Sequence, residues 1–225
     1  MPRVARIYTE EGVFHILTRG NNRQKVFKEE SDYRIYKDML TELKGEQPFR
    51  LYHYCLMGNH VHLIIETNER TELSKLMKRL NLYYYNNYKK KYGYIGHFWQ
   101  DRFKSLLIAK DEYLLACGLY IERNPVRAKM VALPEKYPYS SYNYYAYGEG
   151  DEIVDRDPCY NELGRTDIER QRRYRGLMLD KEKGLNERIF SRLFLGTEGF
   201  MKEMEGRFKV RNIRLERGRP KKEVG

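Results

Sequence analysis

The sequence predicts an α+β fold in which a ferredoxin-like, split βαβ antiparallel sheet carries helices on one face. Two observations support this prediction. Runs rich in aromatic and β-branched residues alternate with segments whose apolar residues recur at helical spacing. The resulting order is β-α-β-β-α-β-α, and its first six members are those of the ferredoxin-like fold. The last helix is expected to lie across the sheet face that the first two helices leave open.

Each of the seven elements is predicted from a local pattern. The two central strands are separated only by Gly58-Asn59, a pair that accepts positive φ and favours a tight hairpin. Thr71 is a candidate N-cap of the second helix. Asp111 is a candidate N-cap of the last helix, and Pro125 is expected to end it. The predicted ranges in chain order are 13–18, 29–44, 49–57, 60–66, 71–90, 102–109 and 111–124.

A change in composition near residue 148 predicts two regions. Residues 1–147 form one domain in this interpretation, and residues 148–225 form a basic, mainly helical C-terminal extension. Helical stretches are predicted within 167–205, where weak apolar stripes include Leu185, Ile189, Leu193 and Phe194. The last residues, RLERGRPKKEVG, are predicted to be disordered.

The charge balance favours a polyanionic partner. Lysine and arginine number 43 against 32 aspartates and glutamates, an excess of 11, and nucleic acid is the commonest partner of such chains. The 21 tyrosines are suited to stacking on unpaired bases. The competing interpretation is a merely basic soluble protein whose tyrosines fill the core and interfaces.

Other classes of protein are disfavoured. The three cysteines (Cys55, Cys117 and Cys159) are far apart and form no CxxC pair, which argues against a disulfide framework or a cysteine-built zinc site. The N-terminus has no signal-like apolar core, and no segment has the length of a membrane span. A soluble protein of the cytoplasm is expected.

Four residues are candidates for chemistry. His60 and His62 lie two apart in a predicted strand, so their imidazoles share a face and can form half of a divalent-metal site. Tyr120 and Asn124 lie four apart in the last helix and share a face there. Placed over the histidines, Asn124 adds an amide oxygen ligand, and Tyr120 supplies a nucleophile for a phosphodiester. The competing interpretation is that Tyr120 packs in the core and Asn124 only caps its helix.

Five segments together resemble one known family, and the resemblance covers about residues 5–147. They are HILTRGNNRQKVF (15–27), YCLMGNHVHLII (54–65), FWQDRFKS (98–105), YIERNPVRAKMV (120–131) and YPYSSY (137–142). The chain resembles the single-tyrosine HUH transposases of insertion sequences, particularly the REP-associated tyrosine transposase branch. The family's histidine–hydrophobic–histidine motif falls on residues 60–62, its catalytic tyrosine on Tyr120, and its third metal-ligand position on Asn124.

The resemblance implies a metal-dependent single-stranded DNA endonuclease and strand-transfer enzyme. Members use Mg²⁺ or Mn²⁺, cleave beside a DNA hairpin, and leave a 5′-phosphotyrosine and a free 3′-hydroxyl. Histidine ligands by themselves suit manganese or zinc. The resemblance leaves open whether the tyrosine acts within its own chain or in a homodimer, and whether the copy still mobilises DNA. The chain departs from the family at Glu122-Arg123, which is expected to alter DNA contacts.

Basic and amide side chains are candidates for DNA binding, with ordinary turns, packing or a simple basic tail as the alternatives. The arginines within residues 217–219 belong to a short segment that resembles an AT-hook, which is suited to binding in the minor groove. His15 is interpreted as a core or hydrogen-bonded histidine. The DNA-binding candidates are Arg19, Asn21, Asn22, Arg23, Arg102, Lys104, Arg127, Arg217 and Arg219.

Two other functions compete with the transposase. A non-catalytic nucleic-acid-binding module on a ferredoxin-like sheet would keep the basic surface but would have no need for the set of His60, His62, Tyr120 and Asn124. A metal-dependent phosphoesterase that activates water would have no need for Tyr120. The presence of the complete set therefore favours a tyrosine-using enzyme.

Overall fold

The structure, a computed structural model, describes residues 7, 9, 11–180, 185, 189 and 192–213. All seven predicted elements are present, and no end differs from the prediction by more than two residues. The strands are β1 Gly12–Arg19, β2 Arg50–Met57, β3 His60–Thr67, β4 Lys104–Ile108 and β5 Phe194–Leu195. The helices are α1 Glu30–Glu46, α2 Leu73–Tyr92, α3 Glu112–Glu122, α4 Asn124–Arg127, α5 Tyr142–Tyr147, α6 Pro158–Asn161, α7 Asp167–Leu179 and α8 Glu198–Phe208.

The strands form one sheet in the order β2-β3-β1-β4-β5. The first four strands pair antiparallel, as the ferredoxin-like prediction requires. β5 adds a parallel pairing with β4, in which Leu107 faces Phe194. The prediction placed Phe194 in an apolar helical stripe. That was wrong, because this short segment instead completes the sheet edge and buries its side chains there.

Both faces of the sheet are covered. Residues of β1 alternate between the faces, and Phe14 and Ile16 are as fully buried as His15 between them. Helices α1 and α2 pack against each other through aromatic rings such as Tyr36 and Tyr84. They cover the face of Phe14, and α3 covers the face of His15, where Cys117 contacts the imidazole. The expected helix across the open face is therefore α3.

The outer edge of β2 is covered by chain that follows α4. The backbone N–H of Leu56 donates to the carbonyl of Tyr139 (2.9 Å), and Cys55 forms a bridge with Ser140. Further along the strand, Leu51 and Asp155 exchange two hydrogen bonds. These contacts satisfy an edge that would otherwise present unpaired backbone groups.

A buried charged cluster joins α3 to the sheet and to the C-terminal region. His53 on β2 is hydrogen-bonded through Nδ1 to Glu122 Oε1 (2.9 Å) and through Nε2 to Asp157 Oδ2 (3.0 Å). Glu122 also accepts from the hydroxyls of Ser141 (2.5 Å) and Tyr174 (2.6 Å). The three charged side chains are fully buried. Burial alone would lower the pKa of His53, but the bonds to Asp157 and Glu122 raise it to about 9.

This cluster brings α3 unusually close to the sheet. A Cβ atom at Gly118 would lie 2.5 Å from the His53 ring, so only glycine permits this approach. The side chain of Arg123 donates to the last carbonyls of α7, at Leu177 and Met178. The end of α3 is therefore fixed both to β2 and to the region after residue 148. The predicted division into two regions at residue 148 stays a prediction.

Three local expectations differ from the structure. The Gly58-Asn59 hairpin is present, but neither residue has a positive φ. Thr71 does not cap α2, because its hydroxyl donates to the Pro48 carbonyl (2.6 Å). Asp111 caps α3 as predicted, whereas Pro125 lies in the first turn of α4 and does not end α3. No helix in the described ranges is long and apolar enough to cross a membrane.

We predict that the free energy of unfolding falls as the pH rises from about 6.5 to about 9. His53 holds its proton more tightly in the folded protein, with a pKa of about 9, than its ordinary value of 6.5 allows in the unfolded chain. The stabilisation is therefore complete below pH 6.5 and is lost as the pH rises through 9, at a cost of a few kcal/mol. Urea denaturation at a series of pH values measures this loss.

The matched control is the double variant Glu122→Gln/Asp157→Asn. It keeps the shapes of both side chains but removes the charges that hold the proton on His53. Its stability should change much less between pH 6.5 and 9. An equal pH dependence in both proteins would contradict the assignment of a buried imidazolium.

Candidate active site

The two candidate metal-binding histidines lie side by side at one end of the sheet. His60 is the first residue of β3, and His62 follows on the same face. Their ring centroids are 4.9 Å apart, and the rings are nearly perpendicular. His62 is buried, and His60 is partly exposed. The turn after β2 thus places one imidazole at the surface and one beneath it.

Each ring is oriented through its Nδ1 atom. His60 Nδ1 lies 2.5 Å from the amide oxygen of Asn59, which can only accept, so the ring nitrogen donates. His62 Nδ1 lies 2.9 Å from Nε2 of His15, on the neighbouring strand β1. The other nitrogen of His15 lies 3.4 Å from the sulfur of Cys117. His15 is thus hydrogen-bonded, as interpreted from the sequence, and it connects β3 to α3.

Both histidines are neutral at physiological pH. Burial, and to a lesser extent the positive charge of Arg19, lower the pKa of His60 to about 4. Burial also lowers the pKa of His62 well below its ordinary value, with His60, His15 and Arg19 acting in the same direction. Neutral imidazoles keep the lone pair that binds a metal ion.

Tyr120 lies beside this histidine cluster. It is buried near the end of α3, and its ring meets the edge of His15 with centroids 6.5 Å apart. The guanidinium of Arg127 stands 5.1 Å from the centre of the Tyr120 ring. His15 therefore contacts both His62 and Tyr120, so the predicted nucleophile and a predicted metal ligand belong to one cluster within a single chain.

Asn124 is not linked to the histidines as directly as Tyr120 is. It begins α4, and its side-chain nitrogen donates to the carbonyl of Ile121 (3.1 Å). Within the described ranges no hydrogen bond links it to His60 or His62, and no three His, Cys, Asp or Glu residues group as a metal site. The protein thus presents two imidazoles together, and Asn124 remains a prediction as the third ligand.

The candidate DNA-binding residues that can be placed lie near one end of the sheet. Arg19 ends β1 directly opposite His60, and residues 21–23 form the turn that follows. The backbone N–H of Gln100 donates to the Arg19 carbonyl (2.8 Å), which brings Arg102 and Lys104 to the same end. Arg127 lies over Tyr120. Arg217 and Arg219 fall outside the described residues.

Sequence reasoning missed the buried cluster of His53, Glu122 and Asp157. The departure at Glu122-Arg123 was expected to alter DNA contacts, and this stays a prediction. Glu122 itself is fully buried, so any effect it has on DNA is indirect. A glutamate within an apolar helical run was the available signal, since buried carboxylates need partners. Its partners are 69 residues (His53) and 52 residues (Tyr174) away along the chain, where no local pattern reveals them.

The family of the chain follows from comparison with known sequences. A family model described as transposase, IS200-like, matches residues 9–124, just over half of the 225 residues. The match spans β1 through the histidine pair, Tyr120 and Asn124. The chain therefore belongs to the IS200-like transposases and is an enzyme of that class, which removes the non-catalytic binding module from consideration.

One solved structure supports the fold, and a second was also compared. A REP-associated tyrosine transposase, solved bound to a REP hairpin, is 20% identical, with a TM-score of 0.56 over 69% of this chain and 94% of that one. A putative transposase from Deinococcus radiodurans R1 is 15% identical, with a TM-score of 0.38 over 60% of this chain and 98% of that one. No curated protein matches the chain.

We predict that His60 stays neutral down to about pH 4, and that Arg19→Gln raises its pKa part of the way toward 6.5. The variant should reverse only part of the lowering of the His60 pKa, because burial contributes more to it than Arg19 does. A side-chain NMR titration of the imidazoles measures both values. Arg70→Gln, an exposed change at the other end of β3, serves as the control. A pKa near 6.5 in the unmodified protein would contradict this description.

Proposed function

We propose that this transposase cuts and rejoins single-stranded DNA at hairpins, with Tyr120 as the nucleophile and a divalent metal at His60 and His62. The observation that carries the proposal is the placement of Tyr120 and His62 against the same buried side chain, His15. Two arginines, Arg19 and Arg127, lie beside this cluster. A phosphodiester brought there meets a hydroxyl, two neutral imidazoles and positive charge together.

The reaction proceeds by transfer of a phosphoryl group to the enzyme. The Tyr120 oxygen attacks the phosphorus, and its proton leaves to solvent. The bond from phosphorus to the 3′-oxygen breaks and that oxygen takes a proton from solvent, which leaves a free 3′-hydroxyl and a 5′-phosphotyrosine. Attack by a 3′-hydroxyl on that phosphotyrosine joins the strands and restores Tyr120. The guanidinium of Arg127, 5.1 Å from the centre of the Tyr120 ring, places positive charge beside the phosphate under attack.

The histidine cluster fits a divalent metal. A ligating imidazole must be neutral, as both rings are, and each has Nδ1 held by a neighbour, so Nε2 is the ligating nitrogen. Mg²⁺ or Mn²⁺ held there would neutralise charge on the phosphate. For His62 to ligate, its Nδ1 proton is donated to His15, and His15 in turn donates to the Cys117 sulfur. Burial raises the pKa of Cys117, so its sulfur stays a neutral thiol.

The substrate follows from charge and from a structural relative. The chain carries a net charge of +11, and the structurally similar REP-associated tyrosine transposase was solved on a REP hairpin. We infer that a DNA hairpin with unpaired flanks is the substrate here also. Because Tyr120 lies beside the histidine cluster of its own chain, we infer that it acts within that chain.

Tyr120→Phe should abolish formation of a covalent protein–DNA adduct. Phenylalanine keeps the ring that packs on His15 but lacks the attacking oxygen. The assay incubates the protein with hairpin DNA bearing unpaired flanks and Mn²⁺, then resolves adducts on denaturing gels. Tyr113→Phe is the matched control, since Tyr113 lies on the same helix, and it should form adduct normally. An adduct that persists in Tyr120→Phe would exclude Tyr120 as the nucleophile.

His15→Phe should weaken Mn²⁺ binding by about 10- to 100-fold, because His62 loses the neighbour that holds its Nδ1 proton. His60→Ala and His62→Ala should abolish binding. Mn²⁺ titration of DNA-free protein, followed by electron paramagnetic resonance, measures affinity independently of activity. His97→Ala, an exposed histidine, should bind as the unmodified protein does. Equal affinity in His15→Phe would show that His15 does not support the metal site.

A further inference from the structure

A cavity of about 600 Å³ lies between α2 and the loop that leads into β4. Its walls are apolar and largely aromatic, and they include Leu82 and Tyr85 from α2 and Phe98, Trp99 and Phe103 from the loop. Cavities of this size hold small ligands or parts of larger ones. Flat aromatic walls suit a planar, weakly polar group.

The loop side of the cavity is held in place before any ligand arrives. The indole N–H of Trp99 donates to the backbone carbonyl of Asn81 on α2 (3.0 Å). The carbonyl of Phe98 accepts from the backbone of Asn21 and from the side chain of Gln24, both at 2.8 Å. The Phe98 and Trp99 rings meet edge to face, 4.7 Å apart. A preformed wall avoids much of the ordering cost of binding.

The rim of the cavity is positively charged. Lys78 and Arg102 line it and are exposed, and neither forms an ion pair with any residue whose position the structure describes. No acidic residue is among those that line the cavity. The combination of aromatic walls with unpaired cations favours a ligand that joins a flat ring to an anion, which is the composition of a nucleotide.

The cavity lies at the same end of the sheet as the candidate active site, on the face that α1 and α2 cover. Trp99 forms a backbone bridge with Gly20, and Gln100 bonds to Arg19, which faces His60. The backbones of His60 and Trp99 are therefore separated by about two strand spacings, roughly 10 Å. The His60 ring lies on the face that α3 covers, and the Trp99 ring lies against α2. A DNA strand bound at the histidines would reach this cavity by passing around that end of the sheet.

We propose that this cavity binds an unpaired base of the DNA strand that enters the active site, while Lys78 and Arg102 contact the adjoining phosphates. The proposal rests on the proposed function, because it takes the substrate to be single-stranded at this point. Duplex DNA is excluded from the cavity, since paired bases cannot leave the stack without loss of pairing. The cavity therefore selects unpaired flanks.

Trp99 provides a direct test because it is the single tryptophan of the chain. Its fluorescence is followed while the full-length protein is titrated with a DNA hairpin bearing unpaired flanks. The comparison is the same hairpin with its flanks annealed to complementary strands. We expect quenching by the unpaired flanks and little quenching by the paired ones. Equal responses to both DNAs would overturn the proposal.

A pair of neighbouring variants tests the cavity itself. Leu82→Glu places a negative charge at its rim, and Tyr83→Glu places the same charge one residue away, outside this cavity. Both side chains are about half exposed (53% and 49%), so both variants should fold. We expect Leu82→Glu to weaken binding of the unpaired flanks about 10- to 100-fold relative to Tyr83→Glu. Equal affinities of the two variants would overturn the proposal.

A covalent-adduct assay on the same DNAs separates this proposal from the proposed function. Adduct formation with no response of Trp99 would overturn the cavity while leaving the tyrosine chemistry intact. A Trp99 response that depends on Leu82, without any adduct, would support the cavity and count against the tyrosine chemistry. A protein segment or an apolar small molecule as the true occupant would leave Trp99 insensitive to DNA, which also overturns the proposal.

Discussion

The buried contact of His53 with Glu122 and Asp157 is the constraint on which the position of the active site depends. Charges removed from water are costly unless they are paired and hydrogen-bonded, and this cluster meets both conditions with help from Ser141 and Tyr174. Because Glu122 lies two residues after Tyr120, fixing the carboxylate fixes the last turn of α3. The C-terminal region thereby takes part in positioning Tyr120, the proposed nucleophile, although it lies beyond the matched family region.

The other parts of the proposed site are linked to this buried cluster through short contacts. Gly118 lets α3 approach β2, and Cys117 then reaches His15, which in turn holds His62. A displacement of α3 therefore disturbs the histidine pair and Tyr120 together. Catalysis by positioning requires such placement of reacting groups before the substrate arrives. The neutral imidazoles and nearby arginines add an electrostatic environment suited to a phosphodiester.

Local patterns predicted the features that depend on neighbours in sequence. Period-two alternation placed His60 and His62 on one face, and the cap at Asp111 located the start of α3. Contacts between distant segments could not be predicted in this way. His53 and Asp157 are 104 residues apart, and β5 is a two-residue strand whose pairing arises only from the assembled sheet. The break at Arg123 also separates Asn124 from α3, where helical spacing alone had joined it to Tyr120.

The central claim is that this transposase attaches DNA to one particular tyrosine among 21. The most direct test is tandem mass spectrometry of the protein after reaction with flanked hairpin DNA and Mn²⁺, with the bound strand trimmed by nuclease. The account predicts a nucleotide 5′-phosphate on Tyr120, in the peptide that contains the end of α3. A nucleotide found on another residue, or a reaction that cleaves DNA and leaves no modified tyrosine, would contradict it.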